Sequence, residues 1–126
     1  MLKEKYQLEY TINSSPNVLY NRISSPGGLS EWFANDVNVK DDIYTFIWDN
    51  SEQKARLINK KEQKYAKFHW LDDEDENTYF EFKLNTDELT GDIALIITDF
   101  AEADEKKDSI DLWDAQINDL KHILGL

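Results

Sequence analysis

Ser109-Ile110-Asp111-Leu112-Trp113-Asp114-Ala115-Gln116-Ile117-Asn118-Asp119-Leu120-Lys121-His122-Ile123-Leu124-Gly125-Leu126 ends the chain, and its spacing decides the fold. Ile110, Trp113, Ile117, Leu120 and Leu124 recur three or four residues apart and share one helical face, which Leu112 and Ile123 widen. So broad an apolar stripe needs a large surface to cover it. The segments upstream supply one, because they alternate in the manner of strands.

Tyr6 to Ile12 alternates cleanly and reads as a first strand. Ser14-Ser15-Pro16 then offers a cap and a proline suited to the first helical turn, with Val18, Leu19 and Ile23 following on a short helix. This makes Asn13-Ser14-Ser15 a cap rather than a glycosylation acceptor. Ser25-Pro26-Gly27-Gly28 interrupts the helix, and Leu29 to Phe33 reads as a second short one. Strands are expected at Val37 to Val39, Ile43 to Trp48, Gln53 to Lys60, Tyr65 to Leu71, Thr78 to Leu84 and Gly91 to Thr98, joined by short polar turns. Such short connections predict an antiparallel meander. The long helix should begin with Asp108 or Ser109 as its cap and Asp111 in its first turn. The class is therefore α+β: a first strand, two short helices, about five to six further strands and a long closing helix gripped by the curved sheet.

With 126 residues, the chain is expected to form a single domain over residues 1–126. Four Trp, six Tyr and six Phe supply a core that needs no cofactor or metal. The absence of cysteine excludes disulfides, thiolate metal sites and a cysteine nucleophile. A net charge of -12 argues against nucleic acid and against anionic membrane surfaces. Met1 to Tyr6 has no apolar signal core, and the longest apolar run, Ile93 to Ile97, is far short of a membrane span. The expected location is cytoplasmic.

Catalytic signatures are missing. Gly27-Gly28 lacks phosphate-loop spacing, and His69 and His122 stand alone in sequence, His69 on the solvated face of its strand. The acidic run Asp72 to Glu76 lacks EF-hand spacing and reads as a solvated hairpin tip, while Asp111 and Asp114 fall on the outer side of the last helix. The expectation is no enzyme, no catalytic residue and no metal site.

What remains is aromatic. Tyr44, Phe46 and Trp48 point one way along a strand, as do Phe68 with Trp70 and Phe80 with Phe82. These rings either fill the core outright or leave an apolar pocket beneath the helix with polar tips from Tyr10, Tyr44 or Tyr79, and both readings stand at this point. In the second, Tyr44, Phe46, Trp48, Phe68, Trp70 and Phe82, facing Trp113 and Ile117, line the ligand site. Gly27, Gly28, Trp32 and Phe33 would form a gate over one mouth.

The run Ser25-Pro26-Gly27-Gly28-Leu29-Ser30-Glu31-Trp32-Phe33-Ala34, together with Leu112 to Leu126, resembles the helix-grip, START-like (SRPBCC) superfamily, in the branch similar to the chaperone-ATPase activator homologues. The resemblance spans essentially the whole chain. It implies a helix-grip fold with the closing helix in the sheet's grasp; many relatives bind small apolar molecules while others act on proteins or catalyse cyclisation, and a small hydrophobic ligand is the expected partner. No histidine or arginine constellation of the family's cyclases is present, so binding without catalysis is expected. A protein-interaction module similar to the activator homologues, meeting a basic partner through its acidic surface, is the alternative.

Overall fold

The computed structural model describes residues 3–126. Strand β1 (Glu4–Thr11) leads to α1 (Pro16–Ser24) and α2 (Pro26–Leu29). Strands β2 (Asp36–Lys40), β3 (Ile43–Trp48), β4 (Ser51–Lys61), β5 (Tyr65–Trp70), β6 (Phe80–Thr86) and β7 (Ile93–Ala101) follow, then the closing helix α3 (Lys106–Ile123). The sheet order is β1-β7-β6-β5-β4-β3-β2, with every neighbouring pair antiparallel. Six strands thus run as a meander, and β1 returns beside the last of them. Where β4 meets β5, the register shifts between Leu57 and Asn59. A bulge of this kind bends the strand and strengthens its twist, which helps the sheet curve around a helix.

The inner face is built by period-two alternation. Phe46, Phe68, Phe80 and Phe82 have no exposed surface, and Leu95 and Ile97 extend the wall on β7. Ring contacts run across the strands: Phe68 stacks on Phe80 at 5.0 Å and Trp70 on Phe80 at 4.6 Å. Trp113, Ile117 and Leu120 press α3 onto this wall. The buried stripe is narrower than the sequence suggests. Leu112 is 60% exposed and Ile123 39%, because the helix meets the sheet along one side only. The helix also starts earlier than expected. Glu105 occupies the cap position without a side-chain cap bond, and Asp108 rather than Asp111 is the acid of the first turn.

The front helices show why two caps sit so close together. Ser15 Oγ accepts the amide of Val18, and Ser25 Oγ accepts that of Gly28. Pro26-Gly27-Gly28-Leu29 therefore forms a helical turn of its own, and the segment read as a second helix is displaced toward the N-terminus. Trp32 and Phe33 follow in a turn. A Cβ on Gly28 would lie 2.1 Å from the Asn21 carbonyl oxygen, so α2 crosses α1 at glycine-only distance, whereas Gly27 faces open space. Gly28→Ala should destabilise the protein by about 1–3 kcal/mol through overpacking against backbone. Gly27→Ala should be neutral or stabilise by up to about 1 kcal/mol. Urea unfolding of the two variants separates a packing glycine from a hinge glycine, since a hinge would make both costly to function rather than one costly to stability.

The outer face holds a second correction. His69 is buried, and its Nδ1 lies 2.8 Å from the carbonyl oxygen of Thr78. The loop between β5 and β6 folds over it, so the acidic run is a structured cover rather than a loose tip. Asp73 Oδ2 accepts the Thr78 hydroxyl at 2.5 Å and the Lys3 amine at 3.0 Å. Burial raises the Asp73 carboxyl, but these donors and the Asp75 amide outweigh it and hold the group below its ordinary range. None of the described helices is long and apolar enough to cross a membrane.

Candidate functional site

Phe33 decides the shape of the space between sheet and helix. It is 4% exposed and inserts its ring among Phe46, Trp48, Phe80, Phe82 and Trp113, stacking on Trp113 at 5.7 Å. Its carbonyl oxygen accepts the Nε1–H of Trp48 at 3.0 Å and the Nε2–H of Gln116 at 3.2 Å. One residue thereby links the turn after α2, strand β3 and helix α3. The deep part of the cleft is filled by this ring.

Two hollows flank the plug among the described residues. The first, of about 400 Å³, has Phe33 at its base and Trp48, Trp70 and Trp113 around it. Its polar lining is Ser51, Gln53, Asp99, Ser109 and Gln116, and exposed Leu112 stands at its edge. The second, of about 550 Å³, lies on the other side of Leu112 and Gln116, against Trp32, Asn35, Asp119 and His122.

Of the residues the sequence pointed to, Trp48, Trp70 and Trp113 line the first hollow. Tyr44, Phe46, Phe68, Phe82 and Ile117 line neither; they are buried in the filled core. The physical reason is Phe33, which occupies the volume a ligand would need to reach them. The tyrosine tips are also committed elsewhere. Tyr44 donates its hydroxyl to the Ser24 carbonyl at 2.7 Å, and Tyr10 donates to Asp114 at 2.6 Å. Tyr79 sits on the other face of the sheet, edge-on to Phe100 and beneath the Lys67 amine. The gate residues are held as well: Trp32 donates its Nε1–H to the Arg22 carbonyl at 2.7 Å, and Gly28 is packed against α1.

Asp99 is the site residue that the sequence did not reveal. It lies near the end of β7, where alternation predicts nothing remarkable about an acid. Its Oδ2 accepts the Nε1–H of Trp113 at 2.9 Å and the hydroxyl of Tyr6 at 3.3 Å, and its Oδ1 accepts the Phe100 amide at 2.8 Å. Burial pushes its carboxyl above the ordinary range, and the three donors pull the other way without cancelling the effect. Burial, and then the Asp99 charge, push the Tyr6 hydroxyl up to about 12. Because the acid's folded pKa is raised, its ionisation opposes folding; the cost is absent below the ordinary carboxylate pKa of the unfolded chain, grows as pH rises above it, and is fully present once pH exceeds the folded value.

Elsewhere, Glu102, Asp104 and Glu105 bring carboxylates within 4.8 Å of one another in the turn before α3. They lie outside both hollows.

The pattern described as START-like superfamily domain matches residues 1–126. The chain belongs to the START-like superfamily. A solved protein from Bacteroides fragilis is 45% identical over all of this chain and 94% of its own, with a TM-score of 0.70. The Aha1 dimer from Colwellia psychrerythraea, at 18% identity, covers 94% of this chain and 93% of its own with a TM-score of 0.79. A conserved protein of unknown function from Enterococcus faecalis, at 17% identity, covers 98% and 72% respectively at 0.74. These last two show the helix-grip fold alone. No curated protein matches the chain.

Proposed function

We propose that this START-like domain binds a small, largely apolar molecule in the hollow walled by Trp48, Trp70 and Trp113, and that it does so without catalysis. The observation that carries the reading is the wall of Trp48, Trp70 and Trp113 beside about 400 Å³ of space, with exposed Leu112 also in the lining. That volume falls within the range of small-molecule sites, which combine apolar walls with a few placed polar groups. The Ser51 and Ser109 hydroxyls in the lining have no histidine beside them, which favours holding over turnover. The ligand lies nearer the surface than the whole aromatic face would suggest, because Phe33 closes the depth.

Titration with N-phenylnaphthylamine, a neutral apolar fluorophore, tests this. Saturable binding should shift the indole N–H resonances of Trp48, Trp70 and Trp113, and Gln53→Trp, which fills the hollow from β4, should abolish it. Absence of binding, or shifts confined to other regions, would overturn the reading. Exposed Leu112 and Ile123 on α3 support a protein-contact reading in that case, which sedimentation of the chain with candidate basic partners would address.

A further inference from the structure

Asp99 gives the hollow a charge that nothing in it balances. Its lining polar neighbours, Ser51, Gln53, Ser109 and Gln116, are all neutral. The three groups that donate to Asp99 are an indole, a phenol and an amide, none of them cationic. Lys3 acts on it weakly and is itself paired with Asp73 at 3.0 Å. A half-buried carboxylate with hydrogen bonds but no counter-charge favours a cation brought to it. The Phe100 amide occupies one acceptor position of Oδ1, which leaves capacity on that oxygen.

The surroundings suit an organic cation rather than a bare ion. Three indoles line the same hollow as the carboxylate, Trp113 in contact with it, and indole is the ring that attracts cations best. The Nε1–H of Trp113 points at Asp99, so one of these rings is oriented by the acid itself and made more electron-rich by donating to it. A wall of this kind solvates alkyl or aryl groups on nitrogen and offers too few oxygen ligands for a metal. The net charge of -12 concentrates cations near the protein and repels anions.

Resting on the binding function proposed above, we infer that the hollow selects an apolar molecule bearing a protonated or quaternary nitrogen, with Asp99 as its counter-charge and Trp48, Trp70 and Trp113 as its aromatic enclosure.

The test compares naphthylmethyl-trimethylammonium with its neutral neopentyl isostere, with protonated naphthylmethylamine and with naphthalenesulfonate. Affinities are read from tryptophan fluorescence at low and high salt. The quaternary or the primary ammonium should bind the wild type about tenfold more tightly than the neutral isostere, and the sulfonate most weakly. Preference for the primary amine indicates a direct N–H bond to Asp99; preference for the quaternary ion indicates enclosure by the rings. Asp99→Asn is nearly isosteric and removes a charge whose burial opposes folding, so the variant should fold. It should lose most of the cation's advantage over the neutral isostere, both affinities being measured on the same variant. In the wild type, added salt should weaken the cation and spare the isostere, a readout that needs no variant. Equal binding of cation and isostere, or tighter binding of the sulfonate, would overturn charge selection while leaving the apolar site standing. Failure of every probe to bind would instead remove the site itself.

Discussion

Trp113→Ala should lower the unfolding free energy by about 3–5 kcal/mol, the range for truncating a large aromatic in a core. Trp113 is 6% exposed at the middle of the buried stripe on α3. Its ring stacks on Phe33 at 5.7 Å and meets Phe82 edge-on at 5.8 Å, so its loss removes packing from the turn after α2 and from the sheet together. It also withdraws the 2.9 Å donor from Asp99, leaving a half-buried carboxylate less well satisfied. Trp113→Phe separates the two effects, because it keeps most of the packing and loses only the donor. Urea denaturation of both variants should place Trp113→Phe well above Trp113→Ala. An alanine variant within about 1 kcal/mol of wild type would contradict the packing of α3 on the sheet.

Phe33→Ala should cost a similar amount, about 3–5 kcal/mol, and should also change what the protein holds. The Phe33 ring is in contact with rings from β3 and β6 and with Trp113 on α3. The two hollows share it as a wall, so its removal should merge them and expose Phe46, Phe80 and Phe82 to the enlarged space. The Phe33 carbonyl, which is backbone, can still accept from Trp48 and Gln116, so the turn after α2 has reason to stay in place. Loss of stability should then be accompanied by tighter or larger-capacity binding of apolar probes. Unfolding curves measured with and without N-phenylnaphthylamine test both halves, since a ligand bound only by the folded state raises apparent stability. A destabilised variant that binds no better than wild type would mean that the core collapses into the space instead.

The outcomes at individual residues show where local patterning stops. The strand Ile43–Trp48 was legible because alternate residues of a strand necessarily face the same way, and Tyr44, Phe46 and Trp48 are large enough to declare the inner face. The first helix was legible because Ser15 and Pro16 satisfy its terminus with groups adjacent in sequence. The interruption of α1 at Ser25 was legible too, but Pro26-Gly27-Gly28 belongs to the second helix rather than to the gap before it. Glycine lowers helix propensity, but here a serine cap and close approach to Asn21 hold the turn in place. His69 was misassigned because nothing in its strand announces that the loop after it will fold back to cover the outer face.

The site divides along the same line. Sequence alone determined the α+β class, the antiparallel order of the later strands and the helix that lies on them. Period two, period 3.6 and turn length are properties of neighbouring residues. Trp48, Trp70 and Trp113 could be nominated because they stand on those faces. Only the tertiary structure decided that Phe33 fills the depth of the cleft, that Leu112 remains exposed at its edge, and that Asp99 stands uncompensated among the tryptophans. Each depends on how segments dozens of residues apart pack. Close packing settles which of several apolar side chains takes a given volume, and burial settles which of many acids on an acidic chain comes to line the hollow.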